Sequence, residues 1–199
     1  GITCEISENK ADRHGGGLYV YNTEIANKQV IFDGGTFKKN ESLAGGGIGV
    51  EGKITLTMNG NIEANQAENG GGIYLNNGAT MNFGNGLIRN NTAYTTKAAP
   101  STAYKKDINE VFGIGGGVFL AKNTSLTFTN TASLGLYGNR ATNGADDIFA
   151  NGDGTNITLP NVSNMTLKDF DVITDVLYWV EDYITNDDET QDFIKSDFY

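Results

Sequence analysis

Four times the sequence runs three glycines into alternating apolar residues: Gly15 to Val20 (GGGLYV), Gly45 to Val50 (GGGIGV), Gly70 to Leu75 (GGGIYL) and Gly115 to Leu120 (GGGVFL). The glycine starts lie 30, 25 and 45 residues apart, and the last gap reads as one 25-residue unit with about 20 residues inserted. A degenerate copy, Gly144 to Ala150 (GADDIFA), follows 29 residues later. Registered repetition of this period is the mark of an array in which no unit folds alone.

A second motif runs in phase with the first: an apolar residue, two variable residues, then asparagine. It occurs at Ile6–Asn9, Phe37–Asn40, Ile62–Asn65, Ile88–Asn91 and Leu136–Asn139. Between the two lies strict apolar–polar alternation, as in Ile54–Met58 (ITLTM), Thr80–Phe83 (TMNF) and Leu126–Thr129 (LTFT). Each unit therefore holds three short strands separated by glycine and asparagine bends, too small to bury a face except by stacking. The expected fold is all-β: a right-handed parallel β-helix of about five turns, successive turns about 4.8 Å apart. Inward ladders are expected from Leu18/Val20, Ile48/Val50, Ile73/Leu75 and Val118/Leu120, and a further one from Phe37, Ile62, Ile88 and Leu136. Glycine belongs where positive φ or a crowding neighbour forbids a side chain. The five asparagines are expected to form a structural ladder.

Composition removes the alternatives. With 27 glycines and 24 asparagines, about a quarter of the 199 residues are poor helix formers, which excludes a helical bundle. Two prolines exclude collagen. A net charge of −10 argues against nucleic acid and against docking on an anionic membrane. The single cysteine, Cys4, has no internal partner, and the single histidine, His14, adds nothing for a metal, so neither a metal nor a cofactor is expected. His14 reads as a bend residue. No signal peptide or transmembrane run stands in the sequence, so a mature form or an excised domain is expected.

The paired glycine and FxxN-type motifs resemble the repeat of polymorphic outer-membrane proteins and related bacterial adhesin-like surface proteins. The resemblance spans about residues 6 to 150, and of the five FxxN-type copies only Phe37 carries the phenylalanine. It implies a bacterial surface or secreted β-helix, extracellular and engaged in adhesion, with a host glycan or surface protein as partner.

The β-helix is expected over 1–166, interrupted by an insertion at 94–113. That loop brings Tyr94, Lys97, Tyr104, Lys105 and Lys106 into an otherwise acidic chain. Rings and ammonium groups suit a glycan or an acidic partner, and a solvated excursion of ordinary loop composition fits as well. Residues 167–199 abandon the glycine rhythm. Val172, Ile173, Val176, Leu177, Val180 and Ile184 fall at helical spacing, although their β-branched content leaves a strand open. A cap over the last turn is expected there.

Two functions compete: a non-catalytic adhesin-like module, and a polysaccharide-active lyase or hydrolase of the kind parallel β-helices often host. The enzyme needs acids gathered on one face. The strand-face positions beside the glycines are instead Tyr19, Gly49, Tyr74 and Phe119, and outward positions of the middle strands are mostly threonine and asparagine. No catalytic residue is expected.

Overall fold

The computed structural model describes residues 4–24, 26–95, 112–129, 134–150 and 154–158, with the backbone of 178–179. The first passes hold β1 (Glu5–Ser7), β2 (Leu18–Asn22) and β3 (Lys28–Lys38), then β4 (Ile48–Gly52), β5 (Ile54–Glu63) and β6 (Gln66–Ala67). They continue through β7 (Ile73–Asn76), β8 (Thr80–Arg89) and β9 (Thr92–Ala93). Next come β10 (Val118–Leu120), β11 (Ser125–Phe128), β12 (Leu134–Tyr137) and β13 (Arg140–Ala141), and last β14 (Ile148–Ala150), β15 (Asn156–Thr158) and β16 (Tyr178–Trp179).

All described elements are strands and all pairings are parallel. The glycine-led strands form one sheet in the order β14-β10-β7-β4-β2, and the short strands after the asparagines form another, β13-β9-β6. The third sheet follows β1-β3-β5-β8-β11-β15, with β12 and β16 attached. Successive passes thus lay neighbouring strands in each sheet, an architecture compatible with a β-solenoid.

Register matches the repeat residue for residue. Leu18, Ile48, Ile73, Val118 and Ile148 align, as do Val20, Val50, Leu75 and Leu120. Ile6, Phe37, Ile62, Ile88 and Leu136 make the second column. With Leu56, Met58, Met81, Phe83, Leu126 and Phe128 from the middle strands, they form one buried core. The long strands bend at glycines held near φ +107° to +126° (Gly35, Gly60 and Gly86), which is why one strand serves two sides of the stack.

The three glycines of each run have separate reasons, clearest at 45–47. Gly45 sits at φ +68°, open to glycine and costly for other residues. A side chain at Gly46 would strike the carbonyls of Gln66 and Gly71 at 2.4 Å. One at Gly47 would strike the Gly72 carbonyl at 2.8 Å and the Asn65 amide at 3.0 Å.

That amide belongs to a polar spine. Asn9, Asn40, Asn65 and Asn91 each donate through Nδ2 to the Oδ1 of the next asparagine at 2.9–3.0 Å, ending on Asn139. The backbone N–H of each also donates to that same oxygen at 2.9–3.0 Å. From Asn40 onward the second amide hydrogen goes back to a carbonyl of the preceding pass, Ile6, Phe37, Ile62 or Ile88, at 2.9–3.1 Å. Asn40, Asn65, Asn91 and Asn139 are buried, and every amide group is satisfied.

The degenerate copy closes this spine. In register, Asp146 and Asp147 replace the second and third glycines. Asn139 Nδ2 donates to Asp147 Oδ1 at 2.7 Å, where earlier passes offer an asparagine oxygen. The Ala141 N–H donates to Asp146 Oδ1, where Ala11 and Ser42 donate to a carbonyl of the following pass. Among the described residues β14 is the edge strand of the glycine-led sheet, so no neighbouring glycine run crowds these two positions.

The tail departs from helical spacing where it is described. Tyr178 and Trp179 are extended and pair in parallel with Gly135 and Leu136, adding a strand beside β12. The β-branched residues around them explain that preference. The rest of 167–199, with the expected cap contacts of Val176, Leu177 and Val180, lies outside the described residues.

Candidate functional site

Side chains on the outer face of the glycine-led sheet repeat in columns. Tyr19, Gly49, Tyr74, Phe119 and Phe149 share one register. Tyr74 stacks on Phe119, and Phe119 on Phe149, with ring centroids 5.1 Å apart in both pairs. The column is broken at Gly49 and filled from the side: the His14 ring lies 5.3 Å from Tyr19 and 6.1 Å from Tyr74. Phe119, Ile114 and Ala121 are buried under this outer layer, making a second small cluster outside the main core.

Beside the column runs an open groove of about 670 Å³. Its floor is Tyr74, Phe119 and Ala121. The bends before the glycines supply Arg13, His14, Leu43 and Glu68, and the turns after the strands supply Asn76, Asn77 and Asn123. The bend residues are aligned by parallel bridges, His14 to Ala44 to Asn69 to Ile114, so successive passes place them in a row. Asn77 and Asn123 hold φ of +53° and +60°, a conformation asparagine tolerates, and this turns their side chains at the strand ends.

Glu51 organises one end. It accepts the Tyr19 hydroxyl at 2.7 Å and the Asn77 amide at 2.5 Å. Burial, followed by the hydrogen bond to Glu51, raises the Tyr19 hydroxyl above the ordinary tyrosine range. Burial and the Glu51 charge raise that of Tyr74. Both phenols stay neutral near pH 7 and act as hydrogen-bonding groups. Among the described residues His14 Nδ1 is buried without a hydrogen-bond partner.

Carboxylates elsewhere on the strands are engaged across passes. Glu41 meets Lys10 at 2.7 Å, and Glu63 meets Arg89 at 2.9 Å. Asp33 accepts the Asn59 amide at 2.8 Å. Among the described residues no three His, Cys, Asp or Glu side chains gather to hold a metal.

Of the five residues expected to bind, Tyr94 is described, and Lys97, Tyr104, Lys105 and Lys106 lie outside the described residues. Tyr94 is half exposed, its N–H donating to the Ala67 carbonyl at 2.7 Å. It lines a shallower groove of about 210 Å³ that shares Leu43 and Glu68 with the larger one. The larger groove is missed by motif reading because its walls come from bends of three passes. The signal for it is a glycine interrupting an aromatic column, with a histidine just ahead of the first glycine run. No protein-family model, curated protein or solved structure matches the chain.

Proposed function

We propose that the chain is a right-handed parallel β-helix of about five turns that acts as a non-catalytic, adhesin-like module of a bacterial cell-surface or secreted protein. In this reading it engages a host glycan or surface protein. Handedness rests on the crossover rule for parallel strands, and the surface role on the likeness of the repeat to polymorphic outer-membrane proteins.

One observation carries the non-catalytic assignment: four outward carboxylates are spent on cross-pass pairing. A glycoside-cleaving site needs two acids facing each other about 5 to 10 Å apart. Glu41, Glu51, Glu63 and Asp33 face lysine, tyrosine and asparagine, arginine, and asparagine respectively. These pairs tie one pass to the next.

Labelled chain applied to cultured host cells tests the reading. Saturable adherence is expected, with no new reducing or unsaturated sugar ends after incubation with a polysaccharide panel. Absence of adherence overturns the adhesin-like role, and released sugar ends overturn the non-catalytic one in favour of a lyase or hydrolase.

A further inference from the structure

We propose that the groove floored by Tyr74, Phe119 and Ala121 is a binding site for a neutral saccharide. This rests on the reading of the chain as a binding module and adds the ligand class and its position.

At about 670 Å³ the groove falls in the range that encloses small ligands. Its walls stand on strands locked in register, so a ligand meets groups already in place. Those groups are amides and hydroxyls more than charges. The Asn76 Oδ1 accepts the Asn77 N–H at 2.9 Å, while its Nδ2 has no partner among the described residues. The Tyr74 hydroxyl and the Asn123 side-chain amide are likewise without a hydrogen bond there. A side-chain amide offers a donor and an acceptor side by side, which matches two neighbouring sugar hydroxyls.

Tyr74 and Phe119 use their ring faces on each other, so the floor offers a sugar apolar edge contact beside the Tyr74 hydroxyl and no open ring face.

The chain's −10 overall disfavours uronic or sulfated sugars, while Arg13, Lys122 and Glu68 bring mixed signs to the groove itself and Glu51 is taken up by Tyr19 and Asn77. The shared Leu43 and Glu68 lead on to Tyr94, giving a ligand longer than one ring a second place to rest.

The experiment is calorimetric titration of the full chain with manno-, xylo-, cello- and chito-oligosaccharides, and with uronic-acid oligosaccharides for contrast. Binding of at least one neutral series is expected. Asn76→Ala and Tyr74→Phe should each weaken it about tenfold, the loss of one or two hydrogen bonds. Tyr74→Phe keeps the ring stacked on Phe119, and an unchanged melt shows that its loss of binding is local. The proposal is overturned if no neutral sugar binds, if only uronic acids bind, or if both variants bind like the parent. Cell adherence measured alongside separates the two readings: adherence without oligosaccharide binding sinks the groove and leaves the module standing, and loss of both sinks both.

Discussion

The residue before each spine asparagine sits in the left-handed region: Glu8, Lys39, Ala64, Asn90 and Gly138 hold φ between +53° and +63°. Only the last is glycine. An L side chain there costs about 1–2 kcal/mol, so Ala64→Gly, at an exposed site, should stabilise the protein by about 1 kcal/mol in denaturant titration. Gly47→Ala should act in reverse. Its new methyl meets the Asn65 amide and Ile62, and overpacking of this kind costs about 1–3 kcal/mol in the same titration. Tyr19 and Tyr74 supply a pH dependence. Both hydroxyls are raised in the folded state, so their contribution is whole below the unfolded value near 10 and is lost as pH climbs through the raised folded values. Stability should decline above about pH 10, and a Tyr19→Phe, Tyr74→Phe double variant should flatten that decline in melts across alkaline pH.

Among elements, the asparagine spine and the apolar columns act as separate supports. The Asn65 side chain takes part in four buried hydrogen bonds, two received from Asn40 and two given to Phe37 and Asn91. Asn65→Ala strands partners on both sides and should cost at least about 3 kcal/mol, read from chemical denaturation. Asn65→Asp sets a buried carboxylate oxygen against the Phe37 carbonyl and the Asn91 Oδ1, and should cost at least as much as Ala at neutral pH. Ile73→Ala, within the column of glycine-led strands, should cost about 2–5 kcal/mol, and a cost under half a kcal/mol would place Ile73 outside the core. These columns were readable before any coordinates, because a period of about 25 residues repeats the same inward positions, and Ile6, Phe37, Ile62, Ile88 and Leu136 align as the motif predicts. The groove was not readable. Arg13, Leu43 and Asn123 become neighbours only through stacking, and each alone looks like an ordinary bend or turn residue. Helical spacing misled at Tyr178–Trp179 because a short apolar run fits either period, and an open sheet edge decides for the strand.

Across the whole molecule, Asp146-Asp147 reads in sequence as a decayed glycine run, and among the described residues it takes the last donors of the asparagine spine. From Asn40 onward every spine oxygen accepts from the asparagine before it, while each buried amide gives one hydrogen forward and one back, so the stack has a polarity, with a head and a tail of unlike chemistry. At the head, Asn9 is exposed and offers its side-chain oxygen; at the tail, the last donors are consumed by the two carboxylates. Two copies meeting head to head would set oxygen against oxygen. Asp146→Gly with Asp147→Gly frees the Asn139 amide and the Ala141 N–H, so it should gain concentration-dependent mass in light scattering while the parent stays monomeric; equal masses would show that the carboxylates do not act as a stop. A fold built by adding like to like carries the same hazard as a growing fibre, and here two acidic side chains in the last glycine run take the hydrogens that a further copy would accept.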